Sequence, residues 1–358
     1  MMNKTLYCDI SSHGFGHVAQ SAPILNRLHQ LRPDIDIVIQ CAAEPGWLAG
    51  NFAFSFEHVS LSSDFGMVMK DALRVDSQAS HQRYVDLHSH WQEAVRELAQ
   101  VVDRYRPAVL YSNVSYLSNA AAATLSIPVI NLCSLNWYGI YKHYCQTLPG
   151  AQKVMDDMLT AYRSADSFLA PEPSMPMPEI DRLSNIGTVA RLGKQRVQDI
   201  RLQYGLAANS RLVLVSHGGV GLDIDFKHWP VTDDVYYLVF GMEGLDRKDF
   251  IHCESLAMPH IDIMCSSDVI ITKAGYGTYA ECACNEIPIL YTKRYDWPEE
   301  VYLNQWLQQI GRSSKLPIDQ LQRGELQGSL DKVLQQPEKP AVQATGVEQA
   351  VQALLAFF

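Results

Sequence analysis

The sequence has no CxxC pair, no cluster of lysine and arginine, no low-complexity tract and no internal repeat. Each absence removes a class of protein. Without clustered cations, and with a formal charge of -10, the chain is a poor match for nucleic acid, whose phosphates call for a basic surface. No N-terminal apolar stretch has signal-peptide or membrane-span character, because Asp9 and His13 interrupt the first one. The eight cysteines (Cys8, Cys41, Cys133, Cys145, Cys253, Cys265, Cys282, Cys284) lie mostly within apolar segments and read as small core residues in a reducing compartment. Cys282 and Cys284, two apart, face opposite sides of a helix and make a poor metal site. A cytoplasmic location is expected. Nothing in the N-terminal half forms a basic, apolar patch for docking on a bilayer, so peripheral membrane contact has no support.

What is present is a chain of 358 residues, 47% hydrophobic and 19% charged, enough for two domains with ample core. Strand and helix patterns alternate from the start. Strands are expected at Leu6 to Ile10, Ile35 to Ile39, Ala108 to Tyr111, Pro128 to Leu132, Leu212 to Val215, Val235 to Phe240, Val269 to Ile271 and Ile289 to Tyr291. Helices are expected at His17 to Leu31, about Asp76 to Tyr105, Leu117 to Leu125, Tyr279 to Asn285, Glu299 to Gln309 and, last, Val347 to Phe357. This alternation implies an α/β chain of two Rossmann-like, doubly wound domains facing a cleft. Four prolines in eight residues between Ala170 and Pro178 mark an interdomain connector or a loop close to one. The expected division is 1–165 and 166–340, with a terminal helix at 341–358.

Two glycine-pinched turns carry the chemistry. Ser12-His13-Gly14-Phe15-Gly16-His17 and Thr272-Lys273-Ala274-Gly275-Tyr276-Gly277-Thr278 each follow a short apolar run and precede a helical pattern. Each therefore offers backbone N–H groups at a helix N-terminus, a geometry that holds phosphate. Only the first carries imidazoles, which suggests an acceptor-activating half and a nucleotide-holding half. Both turns fit GxGxxA, but a dinucleotide site also needs an acid at the end of the second strand, and that strand ends in Gln40-Cys41. In the second half, Gly218-Gly219 forms another glycine-rich strand exit and Arg191 and Lys273 supply positive charge. Glu281 sits one helical turn beyond Gly277, within reach of ribose hydroxyls. The plainer alternatives are that these glycines only make tight turns and that Glu281 is solvated. His13 and His17 are spaced as a chelate, yet Gly14 and Gly16 break the helix such a chelate presumes. Asp34-Ile35-Asp36 and Asp223-Ile224-Asp225 imitate a metal-binding DxD and read as solvated loop charges.

The HGFGH turn, the segment NIGTVAR and the stretch AGYGTYAECACNEIPILYTKRYDWPEE give the chain a family likeness. It resembles the GT-B glycosyltransferases, in particular the branch of the bacterial peptidoglycan N-acetylglucosaminyltransferase and the UDP-glucuronosyltransferases. It is also similar to the glycosyltransferase-like part that precedes the kinase domain of plant arabinokinases. The resemblance implies that His17 is the acceptor-activating base, with His13 next in line, and that Gly14 and Gly16 approach the diphosphate or acceptor. It implies phosphate contacts from Arg191, from the Gly218-Gly219 loop and from Gly275, Gly277 and Thr278, and ribose contacts from Glu281. Donor-sugar contacts fall to Asp296, Glu299 and Glu300. One departure stands out: the plant-type enzymes place an Asp behind the histidine at the end of the fourth strand, where this chain has Ser112-Asn113.

The expected reaction moves a sugar from a nucleoside-diphosphate sugar, UDP-linked in the families it resembles, to an unknown acceptor hydroxyl. Histidine suits the deprotonation because its ordinary pKa of about 6.5 leaves it largely neutral near pH 7. Helix N-termini with Arg191 or Lys273 would meet the charge of the leaving diphosphate, so no metal and no other cofactor is needed, and in-line displacement would invert the anomeric carbon. The alternative is a nucleotide-sugar-binding regulatory module without catalysis.

Overall fold

The computed structural model describes residues 4–217, 224–241, 245 and 247–358. The first half of the chain builds a seven-stranded sheet from β1 (Thr5–Ile10), β2 (Asp36–Gln40), β3 (Glu57–Val59), β4 (Val109–Asn113), β5 (Val129–Leu132), β6 (Ser167–Pro171) and β7 (Leu183–Ile186), in the order β3, β2, β1, β4, β5, β6, β7. The second half builds a six-stranded sheet from β8 (Arg211–Val215), β9 (Val235–Val239), β10 (Phe250–His252), β11 (Val269–Lys273), β12 (Ile289–Thr292) and β13 (Ser313–Lys315), in the order β10, β9, β8, β11, β12, β13. Neighbouring strands in both sheets run parallel. Central strands such as β4, β5 and β12 are buried along their whole length, as expected where helices cover both faces.

In each sheet the strand order reverses once, between β1 and β4 in the first and between β8 and β11 in the second. Such reversals leave a crevice at the carboxyl ends of the strands. The HGFGH turn leaves β1, and Ile10 at its end stands beside Asn113 at the end of β4. The second glycine turn leaves β11, whose last residue Lys273 stands beside Thr292 of β12. Both turns therefore occupy the crevice positions of their sheets.

Two local expectations, the lobe boundary and the single long helix, need correction. Strands β6 and β7 pair with the first sheet, so the lobes divide after Ile186 rather than at residue 165. The proline-rich stretch links β6 to β7 inside the first lobe. Strand partners are chosen across long sequence separations, and a four- or five-residue apolar run does not say which sheet it joins. The long helix expected to Tyr105 is two, Ser77–Ser89 and Trp91–Asp103, broken at His90. The last helix, Thr345–Leu355, returns to the first lobe: Ala350, Val351 and Leu354 join the core formed by the Gly16–Leu31 helix, and Arg27 pairs with Glu348 at 2.5 Å. Burying Val351 and Leu354 contributes roughly 1.5–3 kcal/mol each. The outgoing and returning strands of chain cross at Gly187 and Gly346, where a Cβ on Gly346 would lie 2.0 Å from the Gly187 carbonyl oxygen.

Candidate functional site

A cavity of about 920 Å³ lies between the lobes, walled by both glycine turns. Its first-lobe wall begins at Gly14, whose φ of +81° favours glycine and which has open space where a Cβ would stand. The helix Gly16–Leu31 then starts without a side-chain cap, and its second residue is His17.

His17 is 7% exposed and lines the cavity. Its Nδ1 lies 2.8 Å from Asn113 Oδ1. Asn113 Nδ2 donates to Gln20 Oε1 at 3.2 Å, which turns the amide oxygen toward the imidazole. The oxygen has no proton to give, so His17 Nδ1 carries the hydrogen and Nε2 keeps its lone pair. Asn113 thus offers the imidazole an acceptor that fixes this tautomer but brings no charge. His13 is half-buried and also lines the cavity. Burial first, then His17 and the cations Arg294 and Lys273, hold its imidazole down at about 3, against a weaker opposing hydrogen bond at the Phe65 backbone. So depressed a group is a weak base at neutral pH.

Asp64 was not anticipated from sequence. Its carboxylate accepts from Ser11 Oγ at 2.6 Å and from Trp137 Nε1 at 2.8 Å, and both histidine rings pack against Trp137. Burial pushes the Asp64 carboxyl above the usual range, with Ser11, His17 and Trp137 acting against it. Gly66 brings this loop in: with φ at +60°, a Cβ there would meet His13 Cγ at 2.6 Å and Trp137 at 2.7 Å.

The second-lobe wall centres on the helix Tyr276–Cys284, which starts directly from Gly275 with no side-chain cap. Tyr279 N is the first amide to bond back, to the Gly275 carbonyl, so the amides at the start of the helix lie ahead of the ladder and beside the cavity. Gly275 has nothing but the Lys273 carbonyl, 4.0 Å away, near its Cβ position. Gly277 approaches the first lobe closely: a Cβ there would sit 3.3 Å from Ala19 Cβ.

Two cations line the cavity together with this helix start. Lys273 lines the cavity and makes no side-chain hydrogen bond or ion pair among the described residues; burial, then Arg294, lower its ammonium to about 8. Arg294, 9% exposed, lies over the Trp297 ring at 3.9 Å, has a buried Nε without a partner and makes no ion pair among the described residues. Burial lowers it as well, against Glu299, Tyr144 and Glu300. His217 adds a buried Nε2 without a partner among the described residues, its ring held neutral at about 4 by burial and by Lys273. Neither Arg294 nor His217 was singled out from sequence, since an isolated basic residue after a strand carries no pattern.

Arg191, by contrast, is not free. Its Nε lies 2.5 Å from Glu281 Oε1 and its Nη1 donates to Asn51 Oδ1 across the cleft at 3.2 Å. All three line the cavity. Glu281 is 3% exposed, and burial raises its carboxyl while Arg191 opposes the rise. The three acids expected at the donor sugar part company. Glu299 lines the cavity with both oxygens engaged, by Ser134 Oγ at 2.6 Å and Trp297 Nε1 at 3.2 Å. Glu300 is turned to Arg294 N and Asn304 Nδ2, and Asp296 to His143 at the surface; neither lines the cavity. Thr278 lines it, whereas Gly218 and Gly219 lie outside the described residues. Among the described residues no three His, Cys, Asp or Glu side chains converge to hold a metal ion, and no helix is long and apolar enough to cross a membrane.

No protein-family model matches the chain. It is 25% identical over 316 residues to the L-arabinokinase of Arabidopsis thaliana, covering 84% of this chain and 29% of that protein, so it spans under a third of that relative's length. It is 23% identical over 266 residues to an uncharacterized glycosyltransferase of Methanopyrus kandleri, covering 67% of this chain and 72% of the other. Among solved structures it is similar to the calicheamicin glycosyltransferase CalG4, with a TM-score of 0.65 at 14% identity over 100% of this chain and 98% of that one. It is similar also to UGT89C1 of Arabidopsis thaliana complexed with UDP, with a TM-score of 0.59 at 13% identity over 99% of each chain. The chain has the GT-B fold of these structures, two Rossmann-like lobes facing a cleft.

Proposed function

We propose that the protein is a glycosyltransferase that moves a sugar from a nucleoside-diphosphate sugar to an acceptor hydroxyl, with inversion and with His17 as base. One observation carries this reading: a single cavity is lined by an imidazole with its Nε2 lone pair available, by a helix N-terminus, and by Lys273 and Arg294, two cations with no acid paired to them among the described residues. The first group suits a proton to be removed, the second a dianion to be held.

In the proposed step, His17 Nε2 takes the acceptor's hydroxyl proton as the oxygen attacks the anomeric carbon from the face opposite the diphosphate. The bond between that carbon and the diphosphate oxygen breaks, its electron pair leaving with the nucleotide. One displacement inverts the centre. Lys273, Arg294 and the amides near Gly275, Gly277 and Thr278 meet the charge that develops on the leaving group, a task otherwise given to a divalent metal. Gly14 and Gly16 leave backbone space beside the reacting groups, and Glu281, held by Arg191, is assigned to the ribose hydroxyls. The UDP complex of one structural neighbour and the thymidine diphosphate complex of another support a pyrimidine nucleoside diphosphate as the donor's carrier, with UDP the first to test. Eight free thiols, seven of them buried, fit a cytoplasmic setting.

The test is a panel of UDP-, dTDP-, GDP- and ADP-sugars, read by thermal shift and by release of free nucleoside diphosphate in the presence of candidate acceptor alcohols. One nucleotide should stabilise the protein, and its release from the sugar should fall about a hundredfold to ten-thousandfold in His17→Ala. Saturable binding without turnover would instead make the protein a nucleotide-sugar sensor, and release unaffected by His17→Ala would remove the base.

A further inference from the structure

The cleft is crossed by an unbroken line of hydrogen bonds that ends on the His17 imidazole and begins on a carboxylate of the opposite lobe. Glu299 Oε1 accepts from Ser134 Oγ at 2.6 Å. Ser134 Oγ accepts from Gln20 Nε2 at 2.9 Å, Gln20 Oε1 accepts from Asn113 Nδ2 at 3.2 Å, and Asn113 Oδ1 meets His17 Nδ1 at 2.8 Å. All five side chains are buried, with Ser134, Asn113 and Gln20 at 1%, 0% and 3% exposure.

The line has a direction, and only its Glu299 end imposes one. Serine and the two amides are each both donor and acceptor, so the same four links could run either way. An ionised carboxylate accepts and never donates. With Glu299 accepting, Ser134 must give its proton to Glu299 and so receive one from Gln20; Gln20 must then present its oxygen to Asn113, and Asn113 its oxygen to His17. The second Glu299 oxygen is taken by Trp297 Nε1 at 3.2 Å, a donor that has no other role to offer. The orientation of every group is thereby set from the far lobe.

We infer that Glu299 is a positioning residue that selects, through Ser134, Gln20 and Asn113, the Nδ1–H tautomer of His17, so that Nε2 is free to accept a proton when the two lobes are together. This inference rests on the proposed role of His17 as base, although the tautomer itself is a property of the chain. It also gives Glu299 a task different from the donor-sugar contact suggested by its place in the sequence, and it accounts for Asn113: an amide can relay orientation from a distant carboxylate, where an Asp at that position would impose it locally.

Replacing Glu299 by Gln keeps size and reverses the sense. The Gln oxygen is claimed by Trp297 Nε1, its amide nitrogen donates to Ser134, and each group down the line turns over until Asn113 Nδ2 donates to His17 Nδ1. The hydrogen on His17 then moves to Nε2. Ser134→Ala tests the same idea by cutting the line instead of reversing it. The measurement is the pair of imidazole nitrogen-15 shifts of His17, which separate a protonated from an unprotonated ring nitrogen, taken near neutral pH on the full chain. In the unaltered protein Nδ1 should be the protonated nitrogen; in Glu299→Gln it should be Nε2, and in Ser134→Ala a mixture. Turnover in Glu299→Gln should fall about a hundredfold or more while the Kd for UDP stays within about twofold. A His17 ring whose tautomer is the same in all three proteins overturns the inference, and so does a loss of UDP affinity that tracks the loss of turnover. Loss of turnover in every form, including the unaltered protein, would strike the transferase reading while the nitrogen shifts still decide the tautomer.

Discussion

The turn that leaves β1 and the turn that leaves β11 share a backbone plan, a buried parallel strand that passes through glycines straight into an uncapped helix, but they are furnished in opposite ways. Around the first stand two imidazoles, two side-chain amides and the buried carboxylate of Asp64, a set that can pass or hold a proton. Around the second stand Lys273, Arg294 and the neutral ring of His217, with no acid paired to either cation among the described residues. The comparison teaches that a glycine turn at a sheet crevice is a generic scaffold, and that the polar side chains within a few ångströms decide whether it handles protons or anions.

The sharpest way to break that contrast is to remove the cations. Charged hydrogen bonds contribute roughly 1.5–3 kcal/mol each, so Lys273→Met and Arg294→Met should each weaken UDP binding about tenfold or more, and together about a hundredfold, by isothermal titration. Matching losses in His17→Ala would show that the two turns do not divide the work.

Titration sharpens the same contrast without mutation. Burial and Arg294 lower the Lys273 ammonium to about 8 in the free protein. A bound dianion favours the charged form, so its arrival raises that value and binding draws a proton from solvent wherever the free lysine is partly neutral. Affinity for UDP should accordingly hold near pH 7, where the lysine is charged in both states, and decline as pH rises through about 8. The first turn predicts no such loss. Proton uptake at pH 8, measured by calorimetry in buffers of different ionisation enthalpy, should vanish in Lys273→Met; uptake that survives there would assign it to another group.

Much of this is legible in the sequence. Eight of the strands and both glycine turns follow from short apolar runs bounded by turn residues, because a strand buried on both faces writes its burial into consecutive positions. Edge strands did not declare themselves: β13 is Ser-Ser-Lys and β3 is Glu-His-Val, held by backbone pairing rather than by apolar side chains. The lobe boundary was misplaced because β6 takes its sheet from β5, some 37 residues earlier (Ile130 beside Ser167), and β7 then follows β6. In the site, residues on the glycine turns could be found from spacing, whereas Asp64, Gln20, Ser134 and Arg294 could not. Their roles arise from loops meeting across the fold, and no local pattern distinguishes a buried Asp in a loop from a solvated one. Asn113 is the instructive middle case: the sequence revealed the missing carboxylate, and only the geometry shows an amide holding the imidazole in one tautomer.

The smallest effect expected concerns Glu281, the residue that joins the nucleotide side to the Arg191 crossover. Its carboxylate is buried against Arg191 Nε at 2.5 Å, so half of its bonding capacity is spent within the protein and the remaining oxygen is what a ribose hydroxyl could reach. Glu281→Gln keeps the size and one acceptor oxygen but removes the charge, leaving the Arg191 guanidinium with Asn51 as its remaining partner at 3.2 Å. A single hydrogen bond that loses its charge assistance weakens by roughly 1 kcal/mol, so UDP affinity should fall about fivefold, and catalysis at saturating donor should change little. Because ribose rather than phosphate is the proposed contact, inorganic pyrophosphate should bind the variant as well as it binds the unaltered protein. Equal weakening for UDP and pyrophosphate would instead place Arg191, released from its acid, at the phosphates, and the division between the two turns would have to be redrawn to include the crossover.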